Sequence, residues 1–176
     1  MKKILSFIAI ILIMTACTIS KDTNNTPTKQ VEAYLDSYQK LDSNVLNDLD
    51  SMIKDTEYNE SQKMRYTELM KKHYSSLKYE ILKETIDKNK AMVDVDIEVT
   101  DYSKILSENL NQDDYKDAEG NYDVSKYLDA QLDKLEKATE KTKYTITFYL
   151  TKENNEWVID TLDKTTIKKI HGIYIQ

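Results

Sequence analysis

Glycine and proline are almost missing from the 176-residue chain, which has two of the first and one of the second. Turns must therefore use asparagine and aspartate, which tolerate left-handed backbone and bond their own main chain. Asp87-Lys88-Asn89-Lys90 and Glu153-Asn154-Asn155-Glu156 are the stretches where that chemistry falls between strand-like runs. Cysteine occurs once, as Cys17, so there is no disulfide and no set of thiol ligands. The two histidines, His73 and His171, are too far apart in sequence to form a zinc-type pair on one helix. A Gly-rich phosphate loop and a Gly-x-Ser-x-Gly elbow are also lacking. Basic residues are outnumbered 25 to 31, for a net charge of −6. That balance argues against nucleic acid and against adhesion to anionic lipid by charge alone.

What is present begins with an address. Lys2 and Lys3 precede an apolar run from Ile4 to Met14, broken only by Ser6, and small residues follow. This is the layout of a secretory signal, and the run is too short to span a bilayer, which takes about 20 residues. Met14-Thr15-Ala16-Cys17 resembles the lipobox of bacterial lipoproteins, with Met14 in the place usually held by leucine. The resemblance implies cleavage after residue 16 and a diacylglycerol on Cys17. It also implies a protein anchored on the extracellular side of the cell membrane. Residues 1–16 then form the signal peptide, 17–26 the lipidated cysteine and its tether, and 27–176 a single domain. Losing Lys2 and Lys3 takes the net charge from −6 to −8, so attachment must come from the lipid.

Along the domain, Thr26-Pro27 reads as a helix cap and first turn, with Val31, Tyr34, Leu35, Tyr38 and Leu41 on one face. Asp42 caps a second short helix carrying Val45, Leu46, Leu49, Met52 and Ile53. Asn59 or Ser61 opens a third, with Tyr66, Leu69, Met70, His73, Tyr74 and Leu77 on its stripe. The period then becomes two. Ala91, Val93, Val95, Ile97 and Val99 alternate with Met92, Asp94, Asp96, Glu98 and Thr100 in a half-buried strand. Tyr79–Ile86 pairs with it as a hairpin, and its broken alternation calls for either two covered faces or a bulge. A helix over Tyr102–Leu110, a polar loop over 111–121 and a helix capped by Asp123 come next. Val124, Tyr127, Leu128, Leu132, Leu135 and Thr139 are expected on the buried side of that last helix. Tyr144–Leu150 and Trp157–Ile159 form a second hairpin. The tail, 165–176, carries helical spacing and then a strand-like Ile173-Tyr174-Ile175, so it reads either way. The expected fold class is α+β: a curved antiparallel sheet of two hairpins covered by N-terminal helices, with a two-helix insertion between the hairpins.

Val31-Glu32-Ala33-Tyr34-Leu35-Asp36-Ser37-Tyr38, the hairpin Ile86–Ile97 and the closing Trp157-Val158-Ile159-Asp160 resemble a known pattern. It is that of nuclear transport factor 2-like domains in lipoproteins of Gram-positive bacteria. The resemblance covers about residues 26–160 and implies the cystatin-like α+β fold and an anchor, without a reaction. Ketosteroid isomerase and polyketide cyclases share that fold and use pocket Asp, Tyr and His residues. Two functions are expected in consequence. One is a non-catalytic binding or interaction domain, with a small molecule or an extracellular protein as its partner. The other is a pocket enzyme of the isomerase or cyclase type.

Either way, Tyr34, Tyr38, His73, Tyr144 and Trp157 are the residues expected to line a pocket, and no catalytic set is assigned. Thirteen tyrosines put amphipathic rings on the apolar stripes, where each hydroxyl needs a partner. His171 has no sequence neighbour that suggests a role. Asp94, Asp96 and Glu98 share one strand face, which suits a hard cation less well than it suits solvent. Asp113, Asp114, Asp117 and Glu119 with Gly120 lack the order of a calcium loop. No metal and no cofactor is expected.

Overall fold

The computed structural model describes residues 25–108 and 110–175. The expected signal peptide, Cys17 and the expected tether as far as residue 24 lie outside them. Three helices open the chain: α1 (Pro27–Lys40), α2 (Ser43–Lys54) and α3 (Glu60–Ser75). Each start is set locally. Thr26 accepts from the Lys29 amide with Pro27 in the first turn, and Asp42 accepts from the amides of Asn44 and Val45. Asn59 and Gln62 form a reciprocal capping box. Two strands come after them, β1 (Lys78–Asp87) and β2 (Lys90–Thr100), then α4 (Ser103–Ser107), a 3-10 turn (Gln112–Tyr115) and α5 (Val124–Glu136). The chain closes with β3 (Lys141–Glu153), β4 (Glu156–Ile159) and α6 (Lys164–Ile170). The sheet is antiparallel throughout, in the order β1-β2-β3-β4. The fold is therefore α+β, two hairpins joined edge to edge through β2 and β3.

One face of the sheet makes the core. Ala91, Val93, Val95, Ile97 and Val99 of β2 are buried together with Tyr144, Ile146, Phe148 and Leu150 of β3 and Trp157 of β4. Helix α1 crosses that face over β1, β2 and β4, and α3 packs against α1, α2 and α5. The chain's one arginine, Arg65 on α3, fastens α5. Its guanidinium donates to Glu136 at 2.9 Å, Asp133 at 2.6 Å and Asp129 at 3.3 Å. The other face is polar, with alternate residues of β2 and β3 turned outward. Thr147 donates to Asp94 and Thr145 to Asp96, each at 2.6 Å, so cross-strand pairs partner that acidic face.

Several expectations are corrected in detail. The alternation of β1 breaks because a register shift between Ile81 and Lys83 bulges out Leu82. The bulge is the correct alternative and two covered faces is not, since residues 82–87 are exposed. The helix expected over Tyr102–Leu110 is a single turn, α4, without a buried residue. Val124 and Thr139 are exposed, because α5 starts at the first and stops before the second. The tail is a helix, α6, and Ile173–Ile175 joins no strand.

Left-handed backbone falls on more than asparagine. Asn154 and Asn155 both have positive φ at the second hairpin turn, which suits its two-residue connection. At the first hairpin the left-handed residue is Lys88, and at the end of α1 it is Leu41, whose amide bonds the last turn. One glycine is used where nothing else fits. Gly172 has φ +68, and a Cβ there would stand 2.0 Å from the Thr100 carbonyl oxygen and 2.9 Å from the His73 ring. Gly120, at φ +85, has nothing within 4 Å.

Gly172→Ala is therefore expected to cost on the order of 2–4 kcal/mol, left-handed strain plus displaced backbone. Gly120→Ala should cost about 1 kcal/mol, from strain alone. Urea denaturation of both variants measures the difference. Equal losses would mean that the close approach of Gly172 to β2 is not part of the fold.

Candidate functional site

The chemistry-bearing side chains of the interior converge where α1, α3 and the end of α6 meet. Helical spacing on α3 turns His73 and Tyr74 inward, and the last turn of α6 brings in Ile170 and His171. His73 is 1% exposed and its Nε2–H donates to the Ile170 carbonyl at 2.9 Å. That bond leaves Nδ1 as a bare acceptor, buried without a hydrogen-bond partner. His171, 5% exposed, sets Nε2 3.4 Å from the Tyr74 hydroxyl, with its ring near those of Tyr38 and Tyr74. Tyr38 stacks edge-on against Tyr74 and Tyr34, and Tyr34 edge-on against Phe148. The Tyr34 and Tyr38 hydroxyls meet at 3.1 Å.

Burial sets the protonation of this cluster. It drives the His73 imidazole down to about 4, against the opposing bond to Ile170 and with help from the Lys141 charge. It drives His171 to about 3, with His73 adding to the effect. The Tyr38 phenol is pushed up to about 12, and Tyr34 and Tyr74 rise well above their ordinary range. All these groups are neutral near pH 7. The one carboxyl that Tyr34, Tyr38 and Tyr74 sense in common is Asp48 of α2, half-buried, which partial burial and nearby Asp42 push upward.

Of the five residues expected to line a pocket, Tyr34, Tyr38 and His73 share this cluster, His73 through the Tyr74 ring. Tyr144 and Trp157 stand apart from it. Tyr144 packs edge-on against Tyr174 under the Lys169 ammonium, and Trp157 is buried on β4 beneath Lys152. His171 and Asp48 join the cluster without a sequence expectation behind them. Asp48 carries a helical signal, a polar residue three positions after Val45 on the apolar stripe of α2. His171 carries none, because its neighbours lie about a hundred positions away in the chain.

The other candidates are surface features. Asp117 closes its own loop, accepting from the amides of Glu119 and Asn121. Among the described residues no group of three or more His, Cys, Asp or Glu is placed to hold a metal ion. A groove of about 540 Å³ between α2 and α3 is lined by Ile53, Met64 and paired Lys and Glu side chains. A smaller hollow of about 330 Å³ lies between Tyr149 and the Asp160–Thr166 segment. Compared with known proteins, the chain matches no family model, no curated protein and no solved structure.

The buried histidines make stability depend on pH. Unfolded, both titrate near 6.5 and bind more protons below that value than the folded chain does. Stability is then fully present above about pH 7 and lost as pH falls through 6 towards 4. From pH 7 to 5 the loss should be about 2 kcal/mol for each histidine. Carboxylates held low by their partners, such as Asp36 beside Lys40 and Tyr79, stay ionised across that range. Urea melts at the two pH values check this, and His171→Gln should remove about half of the slope. A flat profile would mean that the imidazoles are reached by water.

Proposed function

We propose that this is a lipid-anchored extracellular protein carrying a non-catalytic binding or interaction domain of the nuclear transport factor 2-like, cystatin-like kind. The anchor reading rests on Met14-Thr15-Ala16-Cys17 behind a basic and apolar leader. The fold reading rests on the element order, three helices, a hairpin, a helical insert and a second hairpin. Nucleic acid does not suit a surface this acidic.

The observation that carries the non-catalytic reading is the state of the interior. A proton-transfer enzyme needs a base near the working pH, within reach of substrate. His73 and His171 are instead held neutral far below that range, packed among rings, with one nitrogen of His73 committed to a backbone carbonyl. The isomerase or cyclase reading has one observation in its favour, the raised Asp48 carboxyl near the Tyr34–Tyr38 pair. No hydrogen bond joins Asp48 to either hydroxyl among the described residues, so the pair lacks the geometry of a poised acid and base.

Cys17→Ala tests the anchor. The variant should be found in the medium or retained as an uncleaved precursor, and the parent should partition with membranes and carry the added mass of the acyl chains. A variant that is processed and stays membrane-bound would overturn the reading.

A further inference from the structure

Large apolar side chains left in solvent gather at one end of the sheet. Ile86 is 51% exposed, Met92 43% and Tyr149 56%, whereas Leu82, 48% exposed, stands in mid-strand at the β1 bulge. Met92 and Tyr149 are register partners on the outer face, and Ile86, paired with core-facing Ala91, flanks the same turn from the opposite face. Lys88 and Lys90 stand exposed at that turn, where the Lys152 amide also donates to the Asn89 carbonyl. The end of the sheet with both hairpin turns thus carries apolar side chains beside lysines and the exposed carboxylates Asp87 and Glu153, a mixed rim that suits a neutral bilayer surface better than an anionic one.

The described chain begins at this same end. The Asn25 side chain accepts from the Trp157 amide on the outer edge of β4, at 3.2 Å, and from Gln30 at 3.0 Å. Trp157 pairs with Lys152 beside the turn, so the tether enters within about 15 Å of Tyr149 at ordinary strand spacings. From Cys17 to Asn25 the chain advances eight residues. Fully extended they reach ~28 Å, and as a flexible coil they average ~15 Å. A domain of this size is about 35–40 Å across. The tether is thus too short for the far end of the domain to reach the bilayer as readily as the near end.

We propose that the turn end of the sheet, with Ile86, Met92 and Tyr149 at its surface and Lys88 and Lys90 at its rim, docks on the membrane that holds the Cys17 lipid. This rests on the lipid-anchor reading. The anchor supplies a high effective concentration, so a surface too weak to bind vesicles from solution is occupied once tethered. Docking fixes which surface looks away from the cell: the α2–α3 groove and exposed Met64 lie on helices that this end of the sheet leaves free.

Attaching the chain from Cys17 onward to phosphatidylcholine vesicles, by coupling the Cys17 thiol to a maleimide lipid, tests the geometry whether or not the cell lipidates that residue. Hydroxyl-radical footprinting should show Ile86, Met92 and Tyr149 modified at least threefold more slowly on vesicles than free. Met64, Val124 and Ile175, exposed elsewhere, should be unchanged. The double variant Met92→Glu/Tyr149→Glu changes only surface residues and should lose the protection at Ile86. Equal rates on and off the vesicle, or protection centred on Met64, would overturn the proposal. Protection that fades as the surface density of protein is lowered would also overturn it, by making a second copy the occupant. The lipid reading fails separately, if host-made protein lacks the acyl mass on Cys17.

Discussion

The fold turns on one junction, the arrival of the C-terminal segment against α3 and the end of β2. His73 donates to the Ile170 carbonyl, the Tyr102 amide donates to the Gly172 carbonyl at 2.8 Å, and the Gly172 backbone lies against Thr100. Helix α6 has seven residues and β4 has four, each too short to persist alone. Helix α6 is held because this junction ties the end of the chain into the core, and β4 by its pairing with β3 and by α1 across it. A chain with two glycines places one where two backbones must nearly touch, and lets leucine and lysine adopt left-handed turns elsewhere.

Around that junction the core is built of rings. Tyrosine supplies large apolar area at the cost of one hydroxyl that must find a partner. The partners here are mostly one another and histidine: Tyr34 with Tyr38, and Tyr74 with His171. Tyr79, on the exposed first strand, reaches the Asp36 carboxylate at 2.7 Å. Because the interior disfavours charge, tyrosines titrate upward and histidines downward, and both ends of that shift keep the same neutral network. The interior is thereby stable at neutral pH and weakened in acid.

Features set by near neighbours are legible in the sequence. The caps at Thr26, Asp42, Asn59 and Asp123, the alternation of β2, the bulge in β1 and both hairpin turns depend on residues within a few positions of one another. The stripe on α3 places His73 on the inner side, but the group it meets there is not readable from the stripe. Its partner is 97 positions away, and so is the partner of Tyr74. The acidic face of β2 is readable as a strand face, while its neutralisation by Thr145 and Thr147 requires the register with β3. Helix α4 is shorter than its spacing suggests because Tyr102 and Leu110 fit a helical period that the chain leaves after one turn. Asp48 stands as a polar interruption between Val45 and Leu49 on the stripe of α2, and what it meets there depends on the tyrosines of α1 and α3.

The two faces of the sheet carry different kinds of constraint. The inner face is determined by packing, and a change of one methylene there is felt across the core. The outer face is held only by cross-strand pairs, Thr–Asp ladders along its middle and charges at Glu98, where Lys78 and Lys143 approach. Nothing in the folding of the domain requires Met92 or Tyr149 to be apolar, since both stand on this outer face in solvent. Their placement is therefore explained from outside the domain or not at all. Under the proposed anchor at Cys17, an excess of acidic charge keeps most of the surface away from anionic headgroups, and the eight residues from Cys17 to Asn25 keep one end near them. Where those two influences oppose each other, the side chains able to settle at an interface are the ones next to the entry point of the chain. In that proposal, orientation on the membrane needs no dedicated binding site.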